Sequence, residues 1–251
     1  MAFVREFKDY EVYRVITIMN QRTLALSMGL VLGLCGAASA ATIAGTVTFE
    51  GRAPTMPQLN MEGHPQCEHA ELPRVETLVL GEGQRVANML IHIKSGLPEN
   101  EYAVPEEPVV VTQAGCIYTP HVFGIRVGQP LKFTNPDGVL HNMNAQPTVN
   151  REFNISMPEF RKSATRTFTK AEAAFPIKCD VHKWMGTWCA VFDHPFFDVT
   201  QQDGEFRIDG LDAGTYEIEA WHERLGTQTT TVTVGIDEEA MCDFSFSRPS
   251  K

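Results

Sequence analysis

From residue 41 onward, apolar and polar side chains alternate with a period of two, and no useful stretch repeats at helical spacing. The alternation predicts strands over 43–49, 87–93, 108–112, 122–127, 130–133, 164–168, 175–179, 187–192, 205–208, 215–221, 229–234 and 240–246. Turn signals at Gly81-Glu82-Gly83, Gln202-Asp203-Gly204, Asp209-Gly210 and Ala213-Gly214 separate them. Many short strands punctuated by Gly and Pro predict an all-β chain of sandwich type. Residues 144–162 show no clear pattern and read as a loop or a short helix.

The N-terminus breaks the alternation. Met19-Asn20-Gln21-Arg22 is a short basic stretch, 23–37 is mostly apolar, and Ala38-Ser39-Ala40 has the small-x-small form of a cleavage site. Residues 1–40 therefore read as a secretory signal, with translation expected to begin at Met19. An uncleaved anchor is the alternative, but the apolar run is shorter than the roughly 18–20 residues a spanning helix needs. Leu34 is too large to precede a lipidated Cys35. No other segment is long and apolar enough to span a bilayer, so the expected product is periplasmic or secreted. Cleavage leaves 211 residues, room for one large domain or two small ones. The chain carries 21 basic and 31 acidic residues, a formal charge of −10. The signal holds four basic and three acidic residues, so its loss leaves the remainder one unit more negative. Such a charge argues against nucleic acid and for basic docking partners, or serves solubility alone.

The densest chemistry lies in Phe175-Pro176-Ile177-Lys178-Cys179-Asp180-Val181-His182-Lys183-Trp184-Met185, with His141 upstream in Asn135-Pro136-Asp137-Gly138-Val139-Leu140-His141-Asn142. The C-x2-H-x2-M spacing puts a thiolate, an imidazole and a thioether on one tight loop, and His141 supplies a second imidazole. Soft sulfur with two imidazoles holds both Cu(I) and Cu(II), which points to one-electron transfer. Zinc fits less well, because zinc sites favour more Cys or His and thioether is a poor ligand for it. Without Cys35, five cysteines remain: Cys67, Cys116, Cys179, Cys189 and Cys242. If Cys179 binds metal, four are left to pair. The turn-like polar surroundings of Cys67 and Cys116 favour a bridge between them. Cys189 and Cys242 then pair by elimination, or stay as buried free thiols in strands. His64-Pro65-Gln66-Cys67-Glu68-His69 reads as a solvated loop beside a disulfide rather than a second metal site. His92 is expected to face solvent, and His194 and His222 to pack at a domain junction.

Two resemblances follow. Residues 105–193 resemble a cupredoxin, through Tyr118-Thr119-Pro120, Ile125-Arg126-Val127-Gly128-Gln129-Pro130, Phe133-Thr134-Asn135, His141-Asn142 and the Cys179–Met185 loop, which is most similar to amicyanin's. The resemblance implies a Greek-key sandwich holding one type 1 copper through His141, Cys179, His182 and axial Met185. It implies that Asn142 ties the two ligand loops together, and that the His182 edge reaches an apolar surface where electrons enter and leave. Lys183 stands where amicyanin-like loops often have Pro. Residues 198–246 resemble the carboxypeptidase regulatory-like (transthyretin-type) β-sandwich, through Asp203-Gly204, Phe206, Ile208, Gly210-Leu211 and Gly214-Thr215-Tyr216. Only four strand candidates follow residue 197, too few for a whole sandwich. Ala44-Gly45-Thr46-Val47-Thr48-Phe49 and Val86-Ala87-Asn88-Met89-Leu90-Ile91 are candidates for the missing strands. The expected organisation is therefore a β segment at 41–104, a cupredoxin at 105–193 and a β module at 194–251. The first segment either completes the last or packs on the cupredoxin.

The expected function is that of an exported blue copper protein carrying single electrons between redox partners such as c-type cytochromes or a periplasmic dehydrogenase. A copper carrier without redox turnover and a structural, partner-binding β module are the alternatives. No enzyme activity is expected: H-x-H pairs, H-E-x-x-H and G-x-S-x-G are all absent from the sequence.

Overall fold

In β1 (Ala41–Phe49), Ala41, Ile43, Val47 and Phe49 are buried in one core. Gly45 stands in the same row because a Cβ there would lie 2.0 Å from the Cys242 carbonyl oxygen. The computed structural model describes residues 40–67 and 69–248. The predicted signal, its start at Met19 and Cys35 lie outside the described residues. Among the described residues, no helix is long and apolar enough to cross a membrane.

The remaining strands are β2 (Leu90–Ser95), β3 (Val109–Ala114), β4 (Ile117–Thr119), β5 (Val122–Arg126), β6 (Leu131–Thr134), β7 (His141–Ala145), β8 (Phe153–Met157) and β9 (Ser163–Arg166). There follow β10 (Glu172–Lys178), β11 (Gly186–Phe192), β12 (Phe197–Val199), β13 (Glu205–Leu211), β14 (Gly214–His222), β15 (Gly226–Val234), β16 (Glu239–Met241) and β17 (Phe244–Phe246). The chain is all-β, and its strands form four sheets. One has the order β4-β3-β6-β9, and a second β5-β11-β10-β7-β8. Parallel pairing of β3 with β6 and of β5 with β11 mixes with antiparallel neighbours in these two sheets. Val111, Ile125, Phe133, Met143 and Ile177 are buried in the core they share.

The other two sheets use both ends of the described chain. β1 pairs with β13, β16 and β17, while β2 lies between β12 and β14, with β15 at the edge. Ile43, Val47, Ile91, Ile93, Phe206, Ile208, Ile218 and Phe244 fill their common core. A third cluster, Leu90, Val122, Ala190 and Phe192, joins strands of the two sandwiches. Beside it the Trp188 and Trp221 rings lie 5.2 Å apart, and Trp188 Nε1 donates to Glu223 at 3.0 Å. Glu223 also contacts His121, across the same junction.

Residues 144–162 contain the end of β7 and all of β8, not a helix. Their pattern is hard to see because only the last two residues of β7 fall within them and β8 is only five residues long. The predicted strand at 240–246 is two strands. Asp243 accepts hydrogen bonds from Thr46 N and Thr46 Oγ1, so a side chain replaces the ladder at the break.

Cys67 and Cys116 form a disulfide that closes a 49-residue separation. The pairing of Cys189 with Cys242 is not present: both are free and buried, as is Cys179. Each packs in a different hydrophobic core, so elimination brought together thiols that the topology keeps apart. Burial holds both thiols protonated, pushing Cys242 to about 11 and Cys189 well above its ordinary value.

One carboxylate organises the turn after β7. Glu172 accepts hydrogen bonds from the backbone N–H groups of Thr148, Val149 and Asn150 and from Asn150 Nδ2. Burial alone raises its pKa, but the bonds from Asn150, Val149 and Thr148 outweigh that and hold it below its ordinary value of 4.5. Its stabilisation is therefore complete above the ordinary value and is lost as pH falls through the lower folded one. Glu172→Gln should cost about 2–3 kcal/mol at pH 7. The gap in melting temperature between the two proteins should narrow at pH 3, and an equal gap at both pH values would refute this role.

Candidate metal centre

Three elements meet at one end of the β3–β11 sandwich. β7 begins with His141, β10 runs into Cys179 and Asp180, and the loop to β11 carries His182 and Met185. That loop is closed by its own backbone. Met185 N donates to His182 O at 3.0 Å, and Cys179 N donates to Met185 O at 3.1 Å. Cys179, His182, Met185 and His141 are all buried, His182 at 1% exposure.

The donor atoms converge. His141 Nδ1 and His182 Nδ1 are 3.0 Å apart, and Cys179 Sγ is 3.9 Å from His182 Nδ1. Nε2 of His141 points the other way and donates to Asp137 Oδ2 at 2.9 Å. A carboxylate only accepts, so the neutral His141 ring carries its hydrogen on Nε2 and a lone pair on Nδ1. Two ring nitrogens this close need a proton or a cation between them. Burial, His141 and His64 push His182 down to about 4, so it is neutral at neutral pH. Burial works to raise the Cys179 thiol, but His141 and the backbone of Asn142, His182 and Val181 bring it below its ordinary value. The set thus holds a readily ionised thiol beside two imidazoles. Metal–nitrogen bonds of about 2.0–2.1 Å and a metal–thiolate bond of about 2.3 Å span donor separations of this size. The residues present fit a metal ion.

Asn142, expected to join the ligand loops, reaches both. Its Oδ1 accepts from Asp180 N at 2.7 Å and from Cys179 Sγ at 3.4 Å, and its Nδ2 donates to Asp180 and Asn154. Asp180 also accepts from Asn144 and Asn154. Tyr118 Oη donates to the Asn142 carbonyl.

Sequence reasoning missed Asp137, and it placed the 64–69 segment beside a disulfide without foreseeing its packing on His182. Asp137 lies four residues before His141 in a Pro-Asp-Gly turn, and that offset was its only signal. It also receives Gly115 N at 2.7 Å and Cys116 N at 2.8 Å. Those two N–H groups are available because the β3–β4 turn passes through left-handed Gly115 (φ 60°) and Cys116 (φ 57°). The 64–69 segment is no free loop. His64 packs edge-on against His182 at 5.0 Å and against Trp184 at 5.1 Å, and Cys67 Sγ is 3.5 Å from His182 Nε2. The His182 edge, expected at an apolar surface, is therefore covered. His92 faces Glu219 and Phe192 rather than open solvent, and buried His222 accepts backbone N–H groups of Arg224 and Leu225.

No protein-family profile and no curated protein matches the chain. Among solved structures, the copper-containing nitrite reductase NirK of Thermus scotoductus SA-01 is 21% identical over 39% of this chain, with a TM-score of 0.32, and a quarter (25%) of its own length is covered. An oxidized amicyanin variant is 22% identical over 41% of this chain and 98% of its own, with a TM-score of 0.31. A purple cupredoxin from Nitrosopumilus maritimus is 21% identical over 33% of this chain and 98% of its own, with a TM-score of 0.28. Likeness at this level carries no weight for function, and the all-β class stands on the sheets themselves.

Proposed function

We propose that this protein holds a single copper ion through His141, Cys179, His182 and Met185 and passes single electrons between periplasmic partners, catalysing no reaction of its own. The observation that carries the reading is the approach of two Nδ1 atoms to 3.0 Å beside the Cys179 sulfur. Bound copper would supply the one-electron couple. The protein's part is to hold the donors fixed in a buried pocket, so that a change of valence costs little rearrangement. The same reading assigns 41–104 and 194–251 to one carboxypeptidase regulatory-like module with the cupredoxin inserted, supported by the pairing of β1 with β13, β16 and β17 and of β2 with β12 and β14. Its acidic surface would favour basic redox partners, c-type cytochromes among them, with association slowing as salt rises.

Adding Cu(II) to the purified protein should give an intense visible thiolate-to-copper band, absent from Cys179→Ser. A band of equal intensity in both proteins would end the proposal. The burial of His182 beneath His64 and Cys67 favours one second reading, a copper carrier that does not cycle. Reversible voltammetry would support the electron carrier, and ready loss of copper to a chelator would support the other.

A further inference from the structure

The outer edge of His182 faces a group of donors that the inner pocket does not use. A short 3-10 turn at Pro65–Cys67, closed by Cys67 N donating to His64 O at 2.8 Å, puts His64 and Cys67 three residues apart and on one side. The nitrogen of His64, the sulfur of Cys67 and a nitrogen of His182 lie within 4.8 Å of one another. Cys116, the other half of the disulfide, lies within the same distance of nitrogens on His182 and His141. The two imidazoles have independent outer faces. His182 turns Nδ1 inward to His141 and Nε2 outward to Cys67, and half-buried His64 lies next to exposed Gly63, Pro65 and Gln66.

Both sulfurs are held in place by groups other than their bond. Asp137 fixes the Cys116 turn through two backbone N–H groups, and Trp184 Nε1 donates to Cys116 O at 2.9 Å. His69 contacts Gly115 O at 2.7 Å, which ties the 64–69 segment to the same turn. Breaking the sulfur–sulfur bond therefore leaves two thiols next to each other and next to two imidazoles.

We propose that the Cys67–Cys116 disulfide masks a second soft-metal site, formed on reduction from both thiolates, His64 and the outer nitrogen of His182, and suited to Cu(I). A disulfide sulfur is neutral and a weak ligand, whereas thiolates select soft monovalent copper. The reductant is an external dithiol or phosphine. A dithiol gives two electrons and two protons, the Cys67–Cys116 bond breaks into two thiols, and the reductant leaves as its own disulfide; a phosphine gives the two electrons and leaves as its oxide, with water supplying the oxygen and both protons. Cu(I) then displaces both thiol protons to solvent, and where the inner site is also filled the shared His182 ring gives up its remaining N–H proton as well and bridges the two ions as an imidazolate. The site differs from the inner one in its sulfurs and in its dependence on redox state, and it does not require the inner site to be filled.

The test is titration of the full chain with Cu(I) against a chromophoric competing chelator, before and after reduction with a phosphine. The expected result is one additional equivalent in the reduced protein, whether the oxidised protein binds one or none. That increment should survive in Cys179→Ser, which separates it from the inner site, and vanish in Cys67→Ser/Cys116→Ser. In the reduced protein, bound Cu(I) should shield both thiols from iodoacetamide. His64→Ala keeps the disulfide intact and should weaken the added equivalent about tenfold once reduced. Any one of three results overturns the proposal: no added equivalent although both thiols are alkylatable, an increment that persists without the two cysteines, or reduction that abolishes near-ultraviolet circular dichroism with no recovery on adding Cu(I).

Discussion

Replacing Cys67 and Cys116 together by serine should lower the melting temperature of the metal-free protein by about 10–15 °C. The bridge closes 49 residues, and in the chain-entropy model such a loop contributes about 4 kcal/mol. The native state gives the serine protein little compensation. The connection from residue 50 to 89 has few ladder bonds of its own, among them Leu59 N to Pro73 O and Val75 N to Pro57 O. Its hold on the β3–β11 sandwich runs through Cys67, His64 and His69, with Met61 and Leu59 packed into that core. Scanning calorimetry checks this. A fall of less than about 5 °C would mean that the connection is held by packing, and that the covalent link adds little.

Asp137→Ala should act on both the fold and the pocket. Three donors, Gly115 N, Cys116 N and His141 Nε2, lose their common acceptor. Leaving them unmatched should cost about 2–3 kcal/mol of stability. The second consequence is specific to the ring. Without the carboxylate, the hydrogen of neutral His141 is no longer kept on Nε2, and Nδ1 stops presenting its lone pair toward His182. Loss of an outer partner of this kind typically weakens metal binding about 10- to 100-fold. Nitrogen-15 shifts of the His141 ring in the metal-free protein would report the tautomer directly. A purely structural role for Asp137 predicts lost stability with an unchanged tautomer, and that outcome would refute the positioning role.

Much of the architecture was legible because a two-residue period survives wherever one face of a strand meets a core. β1, β11, β14 and the inner part of β10 fall where alternation put them. Legibility failed where chemistry competes with burial. β7 begins with a buried His-Asn pair that a hydropathy pattern reads as loop, yet those polar side chains are paired by Asp137, Asp180 and Asn154. Three of the proposed ligands, Cys179, His182 and Met185, were legible from loop spacing, and His141 from its place upstream beside Asn142. Asp137 was not, because a carboxylate in a Pro-Asp-Gly turn looks like ordinary turn chemistry until the fold shows what it accepts. The free state of Cys189 and Cys242 was equally out of reach, since parity counts thiols without knowing which core each enters.

The pairing of β1 with β13, β16 and β17 has a consequence for synthesis. A ribosome makes β1 and β2 first, but their hydrogen-bonding edges wait for strands encoded more than a hundred residues later. The inserted strands β3 to β11 pair only among themselves and can close as soon as they emerge. Of the described strands, the first two made are thus among the last to find their neighbours, and until then they must be kept from pairing with other nascent chains.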